Sequence, residues 1–373
     1  FIGSDDCDEN TKGNPTYRSF NQIFDKDWKL LDEENKIEDV KFVFLTTYSN
    51  SIDFLSKWLN KKIPTVLLAD CGNDLHENKI SIEENYLHLL KILPRKHFRA
   101  FEIFSAFHPK LFIVCFDDRI RIIIGNGNLL MQDWTFWDNA FWTRDYFNFS
   151  FNKNLTENEL NTDYKFSNEL SKFMGFILDN NINQVKSLIS NDLLNLSFIE
   201  KDVSLIMSLP GLWSEDSYMQ MSTYKLSNIL KNHKEISISF EKSFFNFITS
   251  SMGFINRKFL LDFISSFLSL SSDNISKEVY QLILKNFKVY YPSEQFVLNS
   301  RFGIKNASCL FFKRYNYENC KFISQILRQY EHKAPGDLNS RIPHYKLMLV
   351  NFENNEINDN SLIYLGSHNL TTA

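Results

Sequence analysis

Five cysteines in 373 residues, at positions 7, 71, 115, 309 and 320, are odd in number, and none falls in a C-x-x-C pair. That argues against a disulfide framework or a cysteine-based zinc site and points to a reducing compartment. Eleven glycines and eight prolines are too few for a fibrous or low-complexity chain. Positive charge is not in excess either. The formal net charge is −4, so no global basic field draws in nucleic acid, and any such binding must come from a local groove. No apolar run approaches the ~18 residues of a membrane span. The start, Phe1-Ile2-Gly3-Ser4-Asp5-Asp6, has neither the basic nor the apolar region of a signal peptide. It lacks an initiator Met, and Thr371-Thr372-Ala373 closely follows a motif, so a fragment of a longer protein is expected. What remains, 43% hydrophobic and 23% charged residues, is ordinary globular composition at a length sufficient for two domains.

The most informative stretch runs from Phe104 to Leu129, FSAFHPKLFIVCFDDRIRIIIGNGNL. His108 and Lys110 stand two apart at the start of an apolar run, so on a strand both side chains leave the same face. Phe116-Asp117-Asp118-Arg119 reads as a tight polar turn, and Ile120 to Ile124 as a returning strand that ends in Gly125-Asn126-Gly127-Asn128. Such a hairpin brings Asn128 back beside His108 and Lys110. An imidazole, a cation and an amide at one strand end suit a phosphate.

The set recurs. His344-Tyr345-Lys346 opens Leu347-Met348-Leu349-Val350, and Ser361 to Leu365 leads to Gly366-Ser367-His368-Asn369-Leu370. HPKLFIVCF and HYKLMLVNF share His, Lys, Leu, Val and Phe in register, and IGNGNL aligns with LGSHNL. His108 and Asn128 are 20 residues apart and His344 and Asn369 are 25, a difference that the longer turn ENNEINDN absorbs. One H-x-K on a strand is usually incidental. A core has no need to repeat a polar pattern, so recurrence indicates an internal duplication with two halves contributing to one site. The other six histidines, His76, His88, His97, His233, His332 and His368, lack the following lysine and strand and read as structural or surface residues.

Paired H-x-K…N motifs resemble those of the tyrosyl-DNA phosphodiesterase family, a branch of the phospholipase D superfamily. The wider superfamily carries H-x-K-x-x-x-x-D, and here Cys115 and Asn351 occupy the Asp positions, as that branch leads one to expect. The resemblance, from about Phe44 to the end, implies two pseudo-symmetric phospholipase D-like α/β domains, each a mixed sheet flanked by helices. Their expected extents are 1–198 and 199–373, the second incomplete, with the site between them. It also implies a nuclear DNA-repair enzyme that hydrolyses the bond between a DNA 3′-phosphate and a topoisomerase tyrosine, or other 3′ adducts. The expected partner is a DNA 3′ end, single- or double-stranded, with no cofactor, metal or membrane, and the protein is expected to be a monomer. In the resemblance His108 is the nucleophile, forming a phosphohistidine, and His344 the acid and base. Lys110, Lys346, Asn128 and Asn369 hold the phosphate, a grouping that electrostatics supports independently because it offsets the charge on the non-bridging oxygens. From the residues alone, either histidine can take either role.

Further positions follow from the same resemblance. Tyr48 and Phe104 match aromatics that contact DNA, against the plainer reading of rim or strand packing. Ser251, in Ser250-Ser251-Met252-Gly253-Phe254, Ser308 and Thr371 match DNA contacts, with an N-cap as the plain alternative for Ser251. Asn139 stands where the family usually has a Gln that supports a catalytic His, one methylene shorter. The resemblance also places a supporting acidic residue, further strands and an aromatic after the second Asn, whereas this chain stops four residues past Asn369; poor activity or stability is expected of this piece.

Along the chain, residues 1–40 read as a partly ordered leading segment. Val40 to Thr46 and Ile63 to Leu68 read as strands around a Ser51 to Asn60 helix, a βαβ unit. The three tryptophans of 134–142 read as mostly core. Helices are expected over Phe166 to Asn180, Tyr224 to Lys231 and Phe259 to Leu268. Strands are expected over Ile236 to Phe240 and Phe287 to Pro292, and Val203 to Gly211 resembles the strand-to-Pro-Gly start of the family's second domain, with the domain boundary near 195–202. Lys313 to Tyr317 interleaves cations with aromatics and reads as solvated surface. Two other function classes fit the composition. A lipid phosphodiesterase or general nuclease of the same superfamily is disfavoured, for lipid, by the missing motif Asp residues. A non-catalytic DNA-end-binding protein would bind without forming a covalent intermediate.

Overall fold

The run of β-branched and aromatic residues from Val40 gives the first strand, β1 (Val40–Thr47), the start of a sheet buried on both sides. The computed structural model describes residues 20–27, 40–58, 63–71, 93–94, 107–151, 156–157, 159, 165–178, 196–201, 203–209, 221–232, 242–268, 275–330, 341–352, 356–359 and 361–371. Among them, β2 (Thr65–Cys71) and β3 (Leu93–Pro94) continue the first sheet, and β4 (Leu111–Phe116) and β5 (Ile120–Gly125) form the expected hairpin. The two-residue β6 (Trp137–Asp138) lies outside it, and β7 (Phe141–Tyr146) closes it, in the order β3-β2-β1-β4-β5-β7. β8 (Ser150–Phe151) and β9 (Leu196–Ser197) pair with each other.

Alternation along β4 shows how this sheet is held. Leu111, Ile113 and Cys115 enter one core with Phe166, Leu170, Phe173 and Met174 of the Lys165–Leu178 helix. Phe112, Val114 and Phe116 enter the opposite core with Phe20, Phe54 and Trp134. A strand with a period of two sends neighbours to opposite faces, so an all-apolar run is what a sheet covered on both faces needs. Phe20, Ile23 and Phe24 are buried, so part of the leading segment belongs to the core. The buried Arg121 fixes it there. Its guanidinium grips Asp145 at 2.6 and 2.7 Å and donates to the carbonyls of Ile23, Asp25 and Lys26.

The second half repeats the pattern. β10 (Phe244–Ile248) runs parallel to β12 (Phe287–Pro292) and antiparallel to β16 (Lys346–Asn351), as β1 runs with β2 and β4. β14 (Leu327–Tyr330) is the counterpart of β3, and β16 hairpins to β17 (Leu362–Gly366), giving the order β14-β12-β10-β16-β17. β11 (Ser251–Met252) pairs with β13 (Phe311–Phe312), and β15 (Ile342–Pro343) pairs with β6 of the first half. The duplication extends to loops. Thr47 and Thr249 each donate a hydroxyl two residues ahead, to Ser49 and Ser251 carbonyls, and the bridges Asn50–Leu129 and Met252–Leu370 match. The fold is therefore the expected α/β pair of mixed sheets flanked by helices.

Several expectations are corrected. Val203–Leu209 forms no strand. Met207 and Leu209 are instead buried with Met221 in a first-half core, so the segment packs by side chains rather than pairing with a sheet. Ala307-Ser308-Cys309, which resembles a loop of the family, is here the end of a 3-10 helix, Gly303–Cys309. The strand expected over 236–240 and Phe104 lie outside the described residues. The expected helices are Lys165–Leu178, Ser222–Asn232 and Arg257–Leu268. Among the described residues, no helix is long and apolar enough to cross a membrane.

Candidate active site

Both motifs are delivered by a hairpin in the same register. Gly125 N–H donates to Lys110 O, and Lys346 pairs with Gly366, so each H-x-K lies opposite its Gly-x-x-Asn. The positions where the wider superfamily has Asp are structural here. Cys115 is buried, and burial pushes its thiol up to about 11. Asn351 is buried too, with its Oδ1 accepting from Ser361 Oγ at 2.9 Å.

Contacts across the two halves assemble the site. Asn126 of the first Gly-Asn-Gly-Asn loop donates Nδ2 to Gly366 O of the second at 2.6 Å, while its Oδ1 accepts from Ala140 N at 2.9 Å. The β6–β15 pair ends at His344, whose N–H donates to Asp138 O at 2.8 Å. Away from the motifs, Lys225 reaches the buried Glu169 at 2.9 Å.

His108 is half-buried. The Lys110 ammonium lies 2.7 Å from its Nδ1 and 3.1 Å from its Nε2, and also donates to its carbonyl at 2.9 Å. The Tyr48 ring packs on the imidazole at 5.0 Å, and Lys110 Nζ lies 5.8 Å from the same phenol ring. Thr46 positions the segment: its Oγ1 donates to Pro109 O and accepts from Leu111 N. Desolvation lowers the His108 pKa well below 6.5, and the charges of Lys110 and Lys346 and the nearby His344 lower it further. The sensitivity of His108 to Lys346 and His344 puts both motifs in one electrostatic environment.

His344 is more deeply set. Its Nδ1 is 2.9 Å from Asn139 Oδ1 and 3.2 Å from Asp133 Oδ1, and its ring packs on Trp137 at 5.0 Å. The shorter amide of Asn139 thus reaches its histidine, and its Nδ2 is held by the Asp133 carbonyl. Burial and Lys346 lower the His344 pKa to about 4, against the upward influence of Asp133. Lys346, 1% exposed, donates to His344 O at 2.8 Å, and burial brings its pKa down to about 8. Asn128 accepts from Ser49 N on Oδ1, while its Nδ2 faces Asp133 at 3.3 Å. Asn369 Oδ1 is buried and has no hydrogen-bond partner among the described residues.

The remaining candidates sit around this centre. Ser251 is partly exposed in β11, next to the Met252–Leu370 bridge. The N-cap reading is excluded for it because Asn256 Oδ1 caps the following helix through Phe259 N. Gly253 N–H donates to Leu370 O, and a Cβ at Gly253 would meet the Thr371 side chain, which places Thr371 against the Ser251 loop. Ser308 is exposed, and the neighbouring Cys309 packs with Trp137 and lies near Lys346 and Asp133. Sequence reasoning missed Asp133, although it stands five residues past Asn128 and directly before the first of the three tryptophans of 134–142. The signal available was an Asp among aromatics in a stretch otherwise read as core. Among the described residues, no group of three metal-ligating side chains is found.

Structural comparison finds the yeast tyrosyl-DNA phosphodiesterase at 13% identity and a TM-score of 0.62, over 89% of this chain and 79% of that one. Two histidine variants of the yeast enzyme match similarly. One has 13% identity and a TM-score of 0.64, over 94% and 77% of the two chains. The other has 12% identity and a TM-score of 0.62, over 93% and 82%. These likenesses concern the fold. A search of curated sequences gives no significant match. The family model for tyrosyl-DNA phosphodiesterase matches residues 5–373. Spanning nearly the whole chain and both H-x-K hairpins, that match means the protein belongs to the tyrosyl-DNA phosphodiesterase family and is a phosphodiester hydrolase of the DNA-repair type.

Proposed function

We propose that the protein cleaves the bond between a DNA 3′-phosphate and a tyrosine, or another 3′ adduct, through a covalent phosphohistidine and without a metal. The observation that carries this reading is that hydrogen bonds between the halves, Asn126 Nδ2 to Gly366 O and His344 Nδ1 to Asn139 Oδ1, bring together two H-x-K hairpins whose histidines sit in different surroundings. Lys110 and Lys346 supply positive charge, and Asn128 and Asn369 supply amides, to offset the repulsion of the non-bridging oxygens. The lowered pKa of His108 keeps its ring neutral near pH 7, as a nucleophile requires.

In the first step the His108 imidazole attacks phosphorus, a P–N bond forms and the P–O bond to tyrosine breaks. His344 gives a proton to the departing phenolate. In the second step His344 takes a proton from water, whose oxygen attacks phosphorus; the P–N bond breaks, releasing the 3′-phosphate and free His108. A bound phosphodiester adds negative charge beside His344 and raises its pKa toward the range where it serves as acid. Tyr48, Ser251, Ser308 and Thr371 line the approach as DNA contacts. The units of duplication are 1–198 and 199–373, acting as a monomer in the nucleus.

The test is turnover of a 3′-phosphotyrosyl oligonucleotide in EDTA. We expect slow but measurable cleavage by the wild-type chain, a loss of roughly a thousandfold or more relative to it for His108→Ala, and a protein–DNA adduct that accumulates with His344→Ala. Equal activity in both variants would overturn the mechanism, and phosphatidylcholine turnover without oligonucleotide cleavage would reassign the substrate.

A further inference from the structure

Asp133 lies in the short Met131–Thr135 helix, 1% exposed, and takes part in neither H-x-K motif. Its Oδ1 accepts from Asn128 N at 2.8 Å, is approached by Asn128 Nδ2 at 3.3 Å, and lies 3.2 Å from His344 Nδ1. Its Oδ2 is buried and finds no hydrogen-bond partner among the described residues. We propose that Asp133 is a positioning residue: a single carboxylate oxygen fixes the acid–base imidazole of one half and the phosphate-facing amide of the other. This rests on the function proposed above.

Three physical arguments lead there. First, His344 Nδ1 is committed to Asp133 and Asn139, which fixes the tautomer and leaves Nε2 for the substrate. Asn139 alone would suffice for that, since a neutral carbonyl accepts the same N–H. What Asp133 adds is charge. The groups facing His344 are Lys346, Lys110 and Asp133; the two ammoniums disfavour its protonation, and Asp133 opposes them. Second, a buried carboxylate with an oxygen left unpaired among the described residues costs stability, so packing alone gives no reason for it. Third, Asn128 N, Asn128 Nδ2 and His344 Nδ1 come from separate halves and share one acceptor. The grip on phosphate and the proton donor are therefore held at fixed separation. Asn139 supports the same anchor by donating Nδ2 to the Asp133 carbonyl at 2.5 Å.

The test uses Asp133→Asn, which keeps the shape and an acceptor for Asn128 but removes the charge. Two DNA 3′-phosphodiesters are compared, one carrying tyrosine and one carrying 4-nitrophenol, whose phenolate leaves without needing a proton. With tyrosine we expect turnover to fall about a hundredfold, within the range for loss of general acid–base catalysis, with KM little changed. With nitrophenol, covalent attachment should stay within a few-fold of wild type, and the adduct should then accumulate because its hydrolysis needs His344 as base. The limb of the pH profile that reports His344 should move to lower pH by about one unit or more. Asn139→Asp should move it the other way. An equal loss on both substrates, or an unmoved pH profile, would overturn the inference. NMR titration of the His344 ring separates this from failure of the proposed function. If the wild-type chain cleaves neither substrate, that reading fails, while an acidward shift of His344 in Asp133→Asn still supports the anchor and an unchanged titration overturns it.

Discussion

The two halves carry the same H-x-K hairpin in the same register, yet their surroundings differ. The first sheet has separate cores on both faces, and β4 is buried at every position. In the second, Met348 and Val350 of β16 enter one core while Leu347 and Leu349, which alternate with them, are only half-buried. The histidines differ in parallel. His108 is held by its own lysine and by Tyr48, both of its own half, and His344 by Asp133 and Asn139 of the other half. A duplicated motif thus supplies identical chemistry twice, and the neighbours divide the labour. In the proposed mechanism the ring facing an ammonium stays neutral and nucleophilic, whereas the ring facing a carboxylate carries and returns a proton.

Short of removing a histidine itself, the largest effect should come from removing the charge that the halves share. Lys110→Met or Lys346→Met keeps most of the buried volume and deletes an ammonium. Each should lower turnover of the 3′-phosphotyrosyl substrate at least a hundredfold, as expected for loss of a group that stabilises transition-state charge. The stabilities should diverge from the activities. Lys346 is almost fully buried, and burial already depresses its pKa to about 8, so its methionine variant should melt at or above the wild-type temperature. A marked fall in its melting temperature would show that the lysine holds the fold and not only the phosphate.

A second difference is read by acid. The unfolded-state pKa of His344 is near 6.5 and its folded value about 4, so the unfolded chain binds the proton first. Its contribution to stability is therefore complete above about pH 6.5 and is lost as pH falls toward 4, a change of about 3 kcal/mol. His108, also depressed, acts in the same direction. Denaturant midpoints should drop between pH 7 and pH 4.5, and the drop should be smaller in His344→Gln. A variant with the wild-type slope would remove His344 as the cause.

Much of this was legible in the sequence because it depended on local pattern. The hairpins, the central strands and the helices at 165–178, 222–232 and 257–268 follow from apolar periodicity, and the duplicated polar residues from simple comparison. The family's supporting amide was placed at Asn139, and the structure brings it to His344. What escaped was long-range. Asp133 gains its importance from His344, 211 residues away in the chain. Phe20 and Phe24 look like part of a polar leader until Trp134 and Phe54 are folded against them. Val203–Leu209 has strand-like composition, but pairing requires a free sheet edge and these residues bury their side chains instead.

The smallest effect concerns the glycine that opens each Gly-x-x-Asn. A Cβ at Gly125 would collide with the Phe141 ring and lie 2.6 Å from the Ala140 carbonyl. Both belong to the segment leading into β7, which pairs directly with β5 and cannot retreat without breaking its ladder. At Gly366 the clash is with the far end of Tyr364, a side chain of the same strand that can rotate away. Gly125→Ala should therefore cost about 1–3 kcal/mol, the usual range for overpacking a close-packed site, and Gly366→Ala less than that, both read from denaturant midpoints. Activity should follow the same order, because displacing Gly125 moves Asn126 and Asn128 together. Equal costs at the two glycines would mean that the backbone contact at β7 yields as readily as a tyrosine tip, and that the ladder between β5 and β7 does not hold Phe141 in place.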